Sequence, residues 1–144
     1  MDVKNKRVVV TGAASGIGKA LCEAFHQAEA QSVIAVDMNL DGAQVIANSV
    51  DGIAVQANVG NEKDIINVIE KADAHVGGTD IFCSNAGIGG VPGFFEVEAS
   101  DWQNIWDVNV QSHIFAAKHV LPQMIERGEG YLVNTSSAAG LLTQ

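Results

Sequence analysis

Five stretches of the chain are short, dense in apolar residues and free of helical spacing: Arg7 to Val10, Ser32 to Val36, Gly52 to Val55, Asp80 to Ser84 and Tyr131 to Asn134. Unbroken apolar runs of this length predict strands buried on both faces, because a strand open to water on one side would alternate. Between them, apolar residues recur at intervals of three and four. Ala20, Leu21, Ala24, Phe25 and Ala28 mark the buried stripe of a first helix ending near Ala30, and Leu40 to Asn48 reads as a second, shorter one. Ile65, Val68, Ile69 and Ala72 stripe a helix that opens at Asn61 and runs to about Ala74. Trp102, Ile105, Trp106, Val110, Ile114, Ala117, Leu121 and Met124 recur at helical spacing from Ser100 to Arg127, which places both tryptophans in the core. Strands and helices alternate strictly, so an α/β protein is expected, with a parallel sheet covered on both sides.

The breaks carry residues suited to breaks. Asn61, with Asp64 three residues on, is a candidate N-cap, and Ser100 is another for the long helical region. Pro122 is placed to kink the last turn of that region, Arg127 favours its negative end, and Gly128 can cap it. Gly77 and Gly78 turn the chain into the fourth strand. Gly87 through Pro92 and Gly93 forms a flexible loop that, with Phe94 and Phe95, either borders a substrate or simply connects elements at the surface.

Composition narrows the partners. At 144 residues and 47% hydrophobic, the chain has ample material for a core. A net charge of −9 and a pI of about 4.6 argue against wrapping nucleic acid or lying on anionic lipid. Lys4, Lys6 and Arg7 form the only basic cluster, which reads as the solvated start of a strand. Cys22 and Cys83 lack metal-ligand spacing and read as buried free thiols, suited to a reducing, cytoplasmic setting. No apolar run approaches the roughly 20 residues that span a bilayer. His26, His75, His113 and His119 have neither ligand nor triad spacing and read as ordinary surface or packed histidines, so no metal is expected.

The turn after the first strand, Thr11-Gly12-Ala13-Ala14-Ser15-Gly16-Ile17-Gly18, asks more of the backbone than a connection does. Gly12 suits a sharp turn, Gly16 leaves the main chain open to a ligand's phosphates, and Gly18 lets the helix lie close on the strand. A pyrophosphate there would meet unpaired N–H groups at the positive end of a helix. A plain structural turn is the competing reading, since the spacing is Gly-x-x-x-Gly-x-Gly rather than Gly-x-Gly-x-x-Gly. The second strand favours phosphate. Val33-Ile34-Ala35-Val36 ends in Asp37, a carboxylate at about the 20-residue distance expected of the group that holds an adenosine ribose.

Thr11-Gly12-x-x-x-Gly16-x-Gly18, Asn85-Ala86-Gly87, Asn109 and Asn134-Thr135-Ser136-Ser137 resemble, in order, the motif series of the short-chain dehydrogenase/reductase family, over essentially the whole chain. The resemblance implies a Rossmann-type doubly wound parallel sheet of about five strands in the order 3-2-1-4-5, one domain over residues 1–144, incomplete at its C-terminal end. It implies NAD held by Gly12, Ser15, Gly16, Ile17, Gly18, Asp37, Asn58, Val59, Asn85, Ala86 and Gly87. NADP is disfavoured, because Asp37 would repel a 2′-phosphate and neither Ser15 nor Met38 and Asn39 offers a cation. Asn58-Val59 stands where the family usually has an aspartate–valine pair beside the adenine. The Asn58 oxygen is then an uncharged acceptor for the adenine amino proton, or Asn58 is simply a turn residue. Asn85-Ala86-Gly87 would pin the neighbouring strand and wall the cofactor ribose. Asn109, otherwise an exposed helix position, matches the asparagine that loosens the helix and holds a relay water. Ser137, otherwise a turn former, matches the serine that hydrogen-bonds the reacting carbonyl.

The family's proton exchange also needs a tyrosine about a dozen positions after the serine and a lysine one helical turn later that keeps the phenol's pKa low. The sequence given ends at Gln144, and Tyr131 precedes Ser137 with no lysine four residues on. The expectation is a truncated gene product or engineered fragment of an oxidoreductase that moves hydride between nicotinamide and an alcohol or ketone, inactive by itself. A non-catalytic dinucleotide-binding module and a partner-dependent or scaffolding fragment are the competing readings. An open edge on the fifth strand and an uncovered helix face imply a homo-oligomer.

Overall fold

The computed structural model describes residues 2–89, 93 and 95–141. Part of the expected loop, namely Gly90, Val91, Pro92 and Phe94, lies outside the described residues. The elements run β1 (Arg7–Thr11), α1 (Gly16–Gln27), β2 (Ser32–Asp37), α2 (Leu40–Ser49), β3 (Ile53–Gln56), α3 (Glu62–Val76), β4 (Ile81–Ser84), α4 (Ala99–Trp106), a π-helical segment (Asp107–Gln111), α5 (Ser112–Arg127), β5 (Tyr131–Asn134) and a 3₁₀ turn (Ala138–Gly140). All five strands are parallel, in the order β3-β2-β1-β4-β5. This is the Rossmann-type order expected from the sequence.

Strand side chains alternate between two cores. Val9, Ile34, Val36 and Phe82 face α3 and α5, while Val8, Val10, Val33, Ala35, Ile81 and Cys83 face α1 and α2. A sheet buried on both sides needs no polar face, and Val8, Val9 and Val10 are accordingly inaccessible to solvent. Because β2 and β3 extend to one side of β1 and β4 and β5 to the other, the loops at the C-terminal ends of β1 and β4 diverge and leave a crevice between them.

Two helices bury a different stripe from the one expected. In α1 the buried residues are Gly18 and Cys22, with Leu21 and Phe25 half-buried, while Ala20, Ala24 and Ala28 are exposed. Alanine methyls cost little in water and so do not mark the inner face. In the long helical region the face on the sheet is Val108, Ser112, Ala116, Val120 and Met124, spaced four apart. Trp102 and Trp106 are 55% and 50% exposed, and Ile114 and Leu121 also face outward. The region is apolar on two sides, and periodicity does not say which one meets the sheet. Small residues such as Ser112 and Ala116 let the backbones approach, which the tryptophan side would prevent. The stripe of α3 is the expected one, with Ile65, Val68, Ile69 and Ala72 all buried.

Helix ends differ in detail. Asn61 does cap α3, its Oδ1 accepting from Lys63 N at 3.0 Å, but the Asp64 carboxylate reaches past it and accepts from Asn58 N at 2.9 Å. The long region is capped at Glu98 rather than Ser100, because the Asp101 carboxylate accepts the Glu98 N–H at 2.9 Å and moves the cap two residues earlier. Helix α5 continues through Pro122 to Arg127 and ends on Gly128 at φ +73°.

The basic cluster near the N-terminus is ion-paired, in solvent at Lys4 and half-buried at Arg7. Lys4 meets Glu29 at 2.8 Å, Lys6 meets Glu129 at 2.6 Å, and Arg7 meets Asp80 at 2.5 Å. Cys22 and Cys83 are free and buried, and burial pushes each thiol up to about 12. Among the described residues no helix is long and apolar enough to cross a membrane.

Candidate functional site

The turn after β1 has the backbone that its glycines require. Gly12 sits at φ +68°, and a Cβ there would lie 2.9 Å from Ala86 Cα. A Cβ on Gly18 would lie 2.0 Å from the Gly12 carbonyl oxygen, so only glycine lets α1 start this close to the strand. Gly16, at φ +51°, faces open space. Ser15 is extended, its hydroxyl caps nothing, and the first helical bond runs from Lys19 N to Ser15 O at 3.1 Å. The N–H groups of Gly16, Ile17 and Gly18 therefore precede the ladder and face out at the positive end of α1.

A hydroxyl joins this turn to β4. Thr11 Oγ1 accepts from Asn85 N at 2.9 Å and Ala86 N at 3.1 Å, and donates to Cys83 O at 3.2 Å. Asn85 returns a bond from Nδ2 to Thr11 O at 3.0 Å and accepts from Thr135 Oγ1 at 3.0 Å. Asn85 thus links the ends of β1, β4 and β5, and Ala86 and Gly87 form the floor beyond it. In the sequence Thr11 and Thr135 stand out only as members of motifs. Their roles as clamps depend on partners dozens of residues away, which spacing does not reveal.

On the other side, Asp37 ends β2 with both carboxylate oxygens anchored. Oδ2 accepts from Ala14 N at 3.0 Å and Oδ1 from Asn39 N at 2.9 Å, so the carboxylate is held against the glycine turn. Asn58 Oδ1 accepts from Gly60 N at 3.0 Å, the geometry of a turn residue. Asn58 is nonetheless exposed to the crevice, beside the buried Val59.

These elements enclose an open crevice of about 390 Å³. Every residue expected to hold the cofactor lines it: Gly12, Ser15, Gly16, Ile17, Gly18, Asp37, Asn58, Val59, Asn85, Ala86 and Gly87. Met38, Ala57, Ile88 and Val108 add apolar wall that sequence reasoning did not assign. The residues present fit a dinucleotide, with free N–H groups and an open glycine at a helix start and a fixed carboxylate to one side.

Asn109 and Ser137 line a second hollow of about 790 Å³ that shares Ile17, Asn85, Ala86, Gly87, Ile88 and Thr135 with the first. Asn109 sits at the centre of the π-helical segment, where Ser112 N bonds to Asp107 O and the Ser112 hydroxyl takes the Val108 carbonyl at 2.6 Å. The widened turn lets the Asn109 amide pair with the Ile88 backbone, Nδ2 donating to O and Oδ1 accepting from N, both at 2.8 Å. Ser137 Oγ accepts from Ala139 N at 3.1 Å, which leaves its O–H as a donor at an exposed position. His113 and Ile114 also line this hollow. The two apolar-walled hollows meet at Gly87 and Ile88, an arrangement able to hold an extended two-part ligand with a small molecule at one end.

Comparisons with known proteins agree with this geometry. The family model described as short chain dehydrogenase matches residues 6–144. An uncharacterized oxidoreductase of Staphylococcus aureus is 33% identical over 139 residues, covering 94% of this chain and 60% of its own length. Tropinone reductase-like 1 of Erythroxylum coca is 36% identical over 141 residues, covering 94% of this chain and 52% of its own. A solved structure described as a short-chain dehydrogenase from Novosphingobium aromaticivorans superposes with a TM-score of 0.90 at 25% identity, over 99% of this chain and 56% of that one. The chain spans about half to three-fifths of the length of these relatives.

Proposed function

The chain belongs to the short-chain dehydrogenase family, and from that premise we propose that it is an NAD-dependent oxidoreductase acting on a small alcohol or ketone, with residues 1–144 as one dinucleotide-binding domain. Asp37 carries this reading. A carboxylate anchored by Ala14 N and Asn39 N at the edge of the crevice accepts from two ribose hydroxyls but repels a 2′-phosphate. Neighbouring Met38 and Asn39 bring no cation.

When bound, the nicotinamide ring supplies the hydride acceptor or donor. The free N–H groups of Gly16, Ile17 and Gly18 bind the pyrophosphate, and Asn85, Ala86 and Gly87 wall the second ribose. Ser137 orients the substrate oxygen through its free O–H. Asn109 keeps one N–H and one lone pair beyond its bonds to Ile88, enough to hold a water between site and solvent. No Tyr-x-x-x-Lys occurs within the 144 residues, so assayed alone they are expected to bind without measurable turnover, the missing acid/base step being worth roughly 10²–10⁴ in rate. A version extended by such a segment is expected to turn over, and equal rates for both would refute the assignment. A homo-oligomer in the cytoplasm completes the reading, the latter suited to two unpaired thiols.

The cofactor preference is tested by calorimetric titration with NAD and NADP. NAD is expected to bind at least about tenfold more tightly, from like-charge repulsion alone. Asp37→Asn keeps an acceptor and the side chain's size but removes the charge, and it is expected to bring the two within about threefold. Equal or tighter NADP binding to the unaltered protein, or a preference that survives the substitution, would sink the proposal.

A further inference from the structure

Resting on the dinucleotide reading, we infer that Gly42 of α2 is a positioning residue for the ribose carboxylate: its lack of a side chain seats the glycine turn against α2, and that seating keeps Asp37 aimed at the ligand. Asp37 spans two elements. Its Oδ2 accepts from Ala14 N at 3.0 Å in the turn after β1, and its Oδ1 accepts from Asn39 N at 2.9 Å at the start of α2. Both bonds require the turn and the helix start to lie within reach of one short side chain. Gly42 stands where the two touch. A Cβ on Gly42 would lie 2.8 Å from Ala14 Cβ and 2.9 Å from Asn39 Nδ2, inside the roughly 3.5–4.0 Å at which carbon atoms pack.

Neither neighbour can step aside freely. The Ala14 methyl is fixed to the backbone whose N–H donates to Asp37, so displacing the methyl displaces the donor with it. The turn is held on its inner flank by Ala13 N, which donates to Val36 O at 3.0 Å. Asn39 is engaged as the cap of α2, its Oδ1 accepting from Gly42 N and its backbone oxygen accepting from Ala43 N, both at 3.0 Å. Within a helix alanine is the better residue, because glycine loses more backbone entropy on folding. Glycine at position 42 therefore runs against the needs of α2, and the close approach of Ala14 supplies the reason for it. With alanine there, the turn and α2 part, and the carboxylate keeps its bond to Asn39 N while losing the one to Ala14 N. Asp37 then retains its charge and loses its aim. Gly42 itself does not line the crevice, so its effect reaches a ligand through Ala14 and Asp37.

The test is calorimetric titration of NAD and NADP into the 144-residue protein, Gly42→Ala, Ala14→Gly and the double variant, with circular dichroism to establish that each is folded. Gly42→Ala is expected to weaken NAD about fivefold to tenfold and NADP by less than about twofold, so that the ratio between them shrinks. Ala14→Gly keeps the N–H and removes the methyl from the contact, and combined with Gly42→Ala it is expected to bind NAD within about twofold of Ala14→Gly alone. Unchanged NAD binding in Gly42→Ala, an equal loss for NAD and NADP, or a loss that Ala14→Gly does not relieve would overturn the inference. If Gly42→Ala does not fold, the double variant decides: folding and binding like Ala14→Gly upholds the contact, and anything weaker overturns it. An unaltered protein that binds neither dinucleotide would instead overturn the cofactor reading and this inference with it.

Discussion

Thr11 shows how much one hydroxyl can carry. Buried at the end of β1, it accepts from two backbone N–H groups of the Asn85-Ala86 turn and donates to Cys83 O. Thr11→Val keeps the shape and removes all of these bonds, leaving two N–H groups and a carbonyl facing a methyl. Unsatisfied buried groups cost about 1–3 kcal/mol each, with partial relaxation reducing the sum. We expect a loss of about 2 kcal/mol or more, seen as a lower urea midpoint, and weaker dinucleotide binding because the crevice floor is released. A midpoint unchanged from the original protein would refute the role. The sequence placed Thr11 in a motif but could not assign it this duty, since its partners lie more than 70 residues away. Asp37 was legible for the opposite reason: a carboxylate ending an apolar strand after a glycine turn is a local pattern.

Between elements, charge does work at the end of the sheet opposite the crevice. Asp80, just before β4, accepts from Arg7 N at 3.0 Å, Arg7 Nε at 2.7 Å and Arg7 Nη2 at 2.5 Å, and Arg127 of α5 stands 3.6 Å away. The hydrogen bonds from Arg7 hold the carboxyl below its ordinary 3.8. A carboxylate whose folded pKa is depressed stabilises the fold above its unfolded value, and that contribution is lost as pH falls from about 3.8 through the lower folded value. Thermal midpoints measured from pH 7 to pH 2 should therefore fall steeply at the acid end. Asp80→Asn should lower the midpoint at pH 7 and flatten that acid limb. An acid limb identical in the variant would remove Asp80 from the account. Glu62 works in the same direction between α3 and α5, accepting from Lys118 Nζ at 2.8 Å and lying 2.7 Å from His119 Nε2. None of these pairs was legible as a pair. The basic cluster was visible and its acidic partners were scattered along the chain, so it read as solvated.

For the whole molecule, two apolar surfaces stay uncovered among the described residues. Trp102, Trp106, Ile114, Leu121 and Ile125 lie on the outer side of the α4–α5 region, and β5 is a sheet edge with Tyr131 and Val133 exposed. Apolar area of this kind is costly in water, and an open strand edge offers unpaired backbone groups. We expect the 144-residue protein to self-associate at tens of micromolar, and light scattering that reports a monodisperse monomer would contradict it. A double change, Ile114→Glu with Leu121→Glu, should reduce association without loss of secondary structure. The sequence by itself determined the strand–helix alternation and the parallel sheet that follows from it, the glycine turn and Asp37, because these depend on local patterns that any buried strand or phosphate-binding turn must satisfy; Asn58, Val59 and Asn85-Ala86-Gly87 came only through the family resemblance, and Met38, Ala57, Ile88 and Val108 were not legible at all. Tertiary structure decided which face of the long helical region meets the sheet, which carboxylate pairs with which cation and which way the Asn58 amide turns. Each of those is a choice between near-equal local alternatives, settled only by what the rest of the chain brings alongside.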